Sequence, residues 1–376
     1  MSTHVTTTWR LPEALPPGDV ETFRDLVRYC FDDGSEWTFE TSPEPAVTYS
    51  GHARADVTER LEHAFRRVVP GRSARVAQDF LDLWDVPAPV RAGTPEQWET
   101  GPGLRVLGDG LARLAAAVDH AAQRVARELG AQETMVPHLV AWETIERAGY
   151  DRTFPQHLTA CHVVGPGIDA IDRYADGRGD RAADLVPSAV CASPTVCMPM
   201  YAALADQPLP RQVVRTARSM CTRHEATNGP TRLWSFTMRE IVYVGDRDGA
   251  LDFRRRALDV TAELARSLGL PARLTAASDP FFTAARPDLV TYQRFQSLKH
   301  ELVARVPGVQ TPVAVASVNL HEQHFGRGFG ITAPGGGPAW SACVGYGLER
   351  WAQWLHPYVG DDPEHWPDVL RGGHGA

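Results

Sequence analysis

Lysine is nearly missing from this sequence. Lys299 is the only lysine among 38 basic residues, and all the others are arginine. A bias of this kind follows genome composition, and it leaves Lys299 as a position that escaped the drift. Cysteine is scarce too. Cys30, Cys161, Cys191, Cys197, Cys221 and Cys343 are too few and too irregularly spaced for a disulfide framework, so they read as buried thiols, metal ligands or a nucleophile in a cytosolic protein. No stretch approaches the ~20 consecutive apolar residues of a membrane-crossing helix, and residues 1–20 hold no continuous apolar run. The expectation is a cytoplasmic protein that makes no membrane contact. An excess of positive charge is also absent. The formal net charge of −8 argues against a broad nucleic-acid-binding face, which needs clustered cations to neutralise phosphates.

What is present is ordinary for a folded protein, with 43% hydrophobic and 22% charged residues in 376. The pattern suggests a mixed, mostly helical N-terminal region over 1–130 and a larger region over 131–376. Apolar residues at three- and four-residue steps predict helices over 20–31, 54–83 with a break at Pro70-Gly71, 104–129, 136–148, 248–268 and 292–303, the last carrying Lys299 and Glu301. Residues 87–103 read as a loop. Segments 150–164, 272–277, 311–320 and 338–347 read as extended.

The most informative stretch is 220–245. β-Branched and aromatic residues flank Asn228-Gly229-Pro230, which cannot continue either strand, so an antiparallel hairpin is expected. Period two puts Cys221, Arg223 and Glu225 on one face of the first strand, and Phe236, Met238 and Glu240 on one face of the second. An arginine and a carboxylate beside an aromatic ring make poor core and a good nucleotide site. Downstream, Gly345-Tyr-Gly347-Leu-Glu349-Arg350 turns a strand into a helix. Its glycines let backbone approach a phosphate, and its helix start favours negative charge.

Arg223-x-Glu225 with Arg232-x-x-x-Phe236 resembles motif 2 of the class II aminoacyl-tRNA synthetases, Gly-x-Gly-Leu-Glu-Arg350 resembles motif 3, and 136–164 resembles the degenerate motif 1. Thr195-x-Cys197 with Pro199 and Tyr201, Arg223-His224-Glu225, Ser317-x-Asn319-x-His321 and Ser341-x-Cys343-x-Gly345 narrow the likeness to the seryl-tRNA-synthetase-like amino acid:[carrier protein] ligases. The resemblance implies an α+β fold, a class II antiparallel sheet flanked by helices, in a homodimer. By it Arg223 grips the α-phosphate of ATP, Phe236 stacks on adenine, Arg232 reaches the outer phosphates and Arg350 the γ-phosphate, with Arg223 and Arg350 catalytic. It implies zinc held by Cys197, Glu225 and Cys343, with Cys191 and Cys221 as rivals, and substrate contacts from Thr195, Asp279 and Asn319. The acid that class II cores place before motif 3 is missing from 311–318, which leaves Glu322, Glu240 or Glu349 for Mg2+.

The implied reaction loads a small amino acid, through its adenylate, onto the phosphopantetheine thiol of a carrier protein. No long N-terminal coiled coil is apparent, and the charge is acidic. Both favour a carrier protein over tRNA. The alternatives are an aminoacyl-tRNA synthetase and a catalytically silent paralogue that binds or regulates.

Overall fold

The structure is a computed structural model that describes residues 6–12, 15, 20, 23–24, 26–27, 30–31, 36–40, 45–50, 56–67, 80–177, 180–224, 229–277 and 298–371. Glu225, Asp279 and the first part of the helix expected over 292–303 lie outside these residues. By its internal contacts the chain divides into two compact units, 1–77 with 278–296, and 78–277 with 297–376.

In the first unit, β1 (Thr6–Arg10), β2 (Glu36–Glu40) and β3 (Ala46–Ser50) form an antiparallel sheet in the order β1-β3-β2, followed by helix α1 (Asp56–Arg67). Alternation buries Val47 and Tyr49 against Phe23, Val27, Leu61 and Phe65.

The second unit runs in order through β4 (Leu81–Asp82), β5 (Gln97–Gly101), β6 (Leu104–Leu107), α2 (Asp109–Glu128), β7 (Gln132–Glu133), β8 (Leu139–Ala141), α3 (Trp142–Arg147), β9 (Thr159–Val164), β10 (Leu185–Ala192) and α4 (Cys197–Ala202). It continues through β11 (Val213–Thr222), β12 (Ser235–Gly245), α5 (Arg247–Leu268), β13 (Ala272–Ala277), β14 (Lys299–Ala304), β15 (Val313–Glu322), β16 (Trp340–Gly347) and α6 (Leu348–Val359). Eight strands form one sheet in the order β4-β13-β14-β15-β16-β12-β11-β7. Every neighbouring pair is antiparallel except β7 with β11. The expected hairpin is β11–β12.

Period two gives this sheet two unlike faces. Arg239, Ile241 and Tyr243 of β12 and Val344 and Tyr346 of β16 point to the helices. There α5 contributes Phe253, Ala257, Leu264 and Leu268 to the same core as Leu111 and Leu114 of α2 and Trp351 and Trp354 of α6. A Thr261–Tyr346 hydroxyl hydrogen bond of 2.9 Å fixes α5 to β16. Asp246 caps α5 by accepting from Gly249 N, and Gly269 ends it at φ +62°. The other face is covered by α3, α4 and the 329–339 segment, with Ile145, Met198, Tyr201, Phe329 and Ile331 buried around Cys197 and Cys343.

Several local expectations differ from the fold. Residues 104–107 form β6, paired with β5, and the helix starts only at Asp109; α2, grouped by sequence with the N-terminal region, packs in the core of the second unit. Residues 81–82 and 299–304 are strands rather than helix, because each finds a partner across the sheet. Residues 139–141 pair with β10 before the short helix α3 that Gly149 ends, and 150–164 folds into two short helical turns before β9. The strands β8 and β9 belong to a small β8-β10-β9 sheet, so the helix-then-strand expected at 136–164 does not join the main sheet. In that position stand α2 and β7. Among the described residues no helix is long and apolar enough to cross a membrane.

Candidate active site

The strand β11 stops at Thr222, but the amide of Arg223 still donates to Trp234 O at 2.8 Å, so the ladder holds Arg223 one step beyond it. Its Nε donates to Pro194 O at 2.8 Å. That bond keeps the guanidinium over the Phe236 ring, 5.4 Å from the centroid, with Nη2 3.9 Å from Met238 Sδ. Arg223 therefore lies between the 193–196 loop and the open face of β12.

Beside it, Thr231, Leu233, Phe236, Gly347, Glu349 and Arg350 line a small cleft open to solvent. Arg350, in the first turn of α6, donates from Nε to Thr231 O (2.9 Å) and from Nη1 to Ala314 O (3.1 Å). Both carboxylate oxygens of Glu349 accept from Thr237 N at 2.8 Å. Burial raises the Glu349 carboxyl, and this amide works against the rise. An aromatic ring, a guanidinium and a helix start on one cleft suit a flat base with an anionic tail.

Strand register builds the neighbouring corner. Glu240 stands opposite Gly345, and Gly345 opposite Ser317; Cys343 stands between Val242 and Asn319. On β14, Lys299 faces Asn319 and Glu301 faces Ser317. All these side chains share the face away from α5. A Cβ on Gly345 would sit 2.8 Å from Met238 Cε and 3.4 Å from Glu240 Cγ, so glycine makes room for both side chains. Cys197, at the start of α4, lies over Glu240 with Sγ 3.3 Å from Thr195 Oγ1. Burial pushes the Cys197 thiol well up, and the nearby Glu240 and Cys343 push it further. Glu240 is raised by burial, against the pull of the Cys197 thiol, the Arg223 charge and the Val196 and Cys197 amides. Its Oε2 is buried and has no hydrogen-bond partner among the described residues.

The sulfur of Cys343 has Asn319 Nδ2 at 3.5 Å and His321 Nε2 at 3.7 Å. Asn319 Nδ2 also donates to Ser317 Oγ at 3.2 Å. Lys299, 8% exposed, pairs with Glu301 at 2.8 Å.

Of the residues singled out by sequence, Phe236, Glu349 and Arg350 thus meet at the cleft, with Arg232 in the segment between its Thr231 and Leu233. Thr195, Cys197, Asn319, Cys343 and Glu240 meet at the thiol corner, where Glu240 stands away from the nucleotide cleft for which it was a magnesium candidate. Cys191 bonds to Thr159 O in the small sheet. Cys221 is buried opposite Phe236, and burial raises it. Glu322, at the end of β15 with φ +51°, pairs with Ser341. Two features escaped the sequence reading. One is the bonding of His321 to Cys343. The other is a carboxylate, Glu301, on the strand beside β15; reading 292–303 as helix concealed it. Among the described residues no group of three His, Cys, Asp or Glu side chains stands close enough together to hold a metal ion.

No protein-family profile matches the chain. The fold is that of the class II synthetases: the seryl-tRNA synthetase of M. kandleri, solved with a tRNASec from A. aeolicus, superposes with a TM-score of 0.65 at 20% identity, over 98% of this chain and 76% of that one. Amino acid–[acyl-carrier-protein] ligase 1 of Bradyrhizobium diazoefficiens is 35% identical over 251 residues, 65% of this chain and 77% of the relative. Ligase 2 of the same organism is 34% identical over 251 residues, covering 75% of its length. Similarity at that level, over three quarters of the relatives and on this sheet, means that the chain belongs to the amino acid–[acyl-carrier-protein] ligase family.

Proposed function

We propose that the protein activates an amino acid with ATP as the aminoacyl adenylate and passes the aminoacyl group to the phosphopantetheine thiol of a carrier protein. The observation that carries this reading is the face of β12. Phe236 in the nucleotide cleft and Glu240 in the thiol corner are four residues apart on one strand, about 13 Å at ~3.3 Å per residue. Arg223 lies over Phe236 and its charge acts on Glu240. An adenylate needs this order of base, phosphate and amino acid.

The donor chemistry of the thiol corner suits zinc, because two thiols stand there with a buried carboxylate oxygen that has no partner among the described residues. Cys197 and Cys343 would hold it together with Glu240, which stands beside Cys197 and takes the place of the Glu225 expected from the sequence, and when bound it would supply a Lewis-acid position open to the substrate's α-amino group. Glu349 is the carboxylate lining the nucleotide cleft, and it is the residue we assign to Mg2+, which would offset phosphate charge there.

Phe236 stacks on adenine, and Glu349 fixes that ring by gripping the following amide. Arg223 and Arg350 stabilise the charge that develops as the amino acid carboxylate attacks the α-phosphate and pyrophosphate leaves. Arg232 extends this toward the outer phosphates. Thr195 orients Cys197. The carrier thiol then attacks the acyl carbon, AMP leaves with the carboxylate oxygen, and a thioester remains. No protein nucleophile is required. A small amino acid, a homodimer and a cytoplasmic setting fit the same reading, and the acidic charge disfavours tRNA as acceptor.

The test is amino-acid-dependent ATP–pyrophosphate exchange, with zinc content measured on the same protein. Exchange with one amino acid, followed by thioester formation on a carrier protein and no charging of tRNA, is the expected result. A folded, zinc-loaded protein that exchanges with no amino acid overturns it.

A further inference from the structure

The polar surroundings of the two cysteines are unequal. Cys197 has a hydroxyl, Thr195, and the carboxyl of Glu240 beside it. Cys343 has nitrogen on two sides, from Asn319 and His321. The His321 ring is in turn held by buried groups. Its Nδ1 lies 3.4 Å from the Tyr201 hydroxyl and 3.5 Å from the Ser341 hydroxyl, and both residues are fully buried. Tyr201 and Phe325 pack edge-on against the ring, with centroids at 6.4 and 4.8 Å.

Resting on the zinc reading above, we propose that His321 is a positioning residue that fixes the Cys343 thiolate as a metal ligand, its tautomer set by the hydroxyls of Tyr201 and Ser341. A zinc-bound thiolate has no proton to give. The hydrogen between Cys343 and His321 must therefore belong to Nε2, which obliges Nδ1 to accept from a hydroxyl. The Tyr201 hydroxyl, fully buried beside Nδ1, serves as that donor. Asn319 supplies the second N–H to the same sulfur and is drawn away from direct substrate contact. Two N–H donors offset thiolate charge at Cys343, whereas the Glu240 carboxylate adds negative charge beside Cys197. Asn319 and His321 stand on β15 and Cys343 on β16, strands that register keeps side by side.

The experiment compares full-length wild type with His321→Ala, His321→Gln and Asn319→Ala. Zinc affinity is read by competition with a chromophoric chelator, and the cobalt(II)-substituted proteins are read by their sulfur-to-cobalt charge-transfer absorption. His321→Ala is expected to hold zinc about 10–100-fold more weakly and to shift that band. His321→Gln, which retains an N–H donor, should recover part of both, and Asn319→Ala should fall in the same direction. ATP binding at the Phe236 cleft should not change, which separates the effect from misfolding. Unchanged zinc affinity and cobalt spectrum in His321→Ala, or no recovery in His321→Gln, would overturn the assignment. A wild type that binds no zinc would instead overturn the metal reading on which it rests.

Discussion

Arg239 and Glu240 are neighbours on β12, both charged and both buried at 2% and 4% exposure, yet they sit on opposite faces and in opposite circumstances. On the helix face, Arg239 spends every nitrogen: Nε and Nη2 on Asp119 of α2, and Nη1 on Glu133 (2.9 Å) and Thr216 Oγ1 (3.2 Å). Burial opposes its charge, but the two carboxylates outweigh burial and raise it. On the open face, Glu240 keeps one oxygen, Oε2, with no partner among the described residues, and burial raises it despite the Cys197 thiol, the Arg223 charge and the Val196 and Cys197 amides. A buried charge whose demands are met holds a fold together. One whose demands are unmet is held in place for something that arrives later.

The sharpest way to break this contrast is Arg239→Ala. It leaves the buried Asp119 with the half-exposed Arg218, 3.6 Å away, in place of its close partner, and should cost about 3–5 kcal/mol in denaturant unfolding; a stable variant with lost activity would move Arg239 into the site. Arg223→Ala should do the reverse. Exchange should fall about 10²–10³-fold, roughly 2.7–4 kcal/mol in barrier, with unfolding free energy changed by under about 1.5 kcal/mol.

The helix face should also carry the pH response. Burial, and then the Arg254 charge, depress His300 to about 4 from 6.5. The folded state thus disfavours the protonated imidazole, so stability is fully present above pH 6.5 and is lost as pH falls toward 4. The loss is roughly 3 kcal/mol at 1.36 kcal/mol per unit. Unfolding midpoints of wild type and His300→Gln, compared between pH 7 and 4, isolate it; parallel curves would contradict it. Last, Glu240→Gln removes a desolvated charge, so the metal-free protein should be unchanged or about 1 kcal/mol more stable. Zinc measured by mass spectrometry should drop from one per chain to a small fraction. A large loss of stability would make Glu240 a structural residue like its neighbour.

The legible parts of this protein were local. The alternation in 235–245 and the Gly347-Leu-Glu-Arg350 turn carry their structure within a dozen residues, and the family resemblance of the motifs they belong to implied the fold class. What was illegible depends on partners far along the chain. Lys299–Ala304 contains good helix formers, with Leu298 and Leu302 four apart, and it becomes a strand because β13 and β15 flank it. Leu104 and Leu107 continue the spacing of Leu111 and Leu114, so one helical period ran through a hairpin that only Gln97–Gly101 reveals. The nearness of Glu240 to Cys343 follows from β12 pairing with β16, and that to Cys197 from the helix α4 packed over this face, neither of which any spacing in the sequence encodes.

That pairing also governs how such a site can change over time. Cys343 and Val344 look out of opposite sides of β16, so inserting or deleting one residue within Trp340–Gly347 would exchange a sulfur for an isopropyl group in a single event. The corner cannot be worn away or assembled by small slips of alignment.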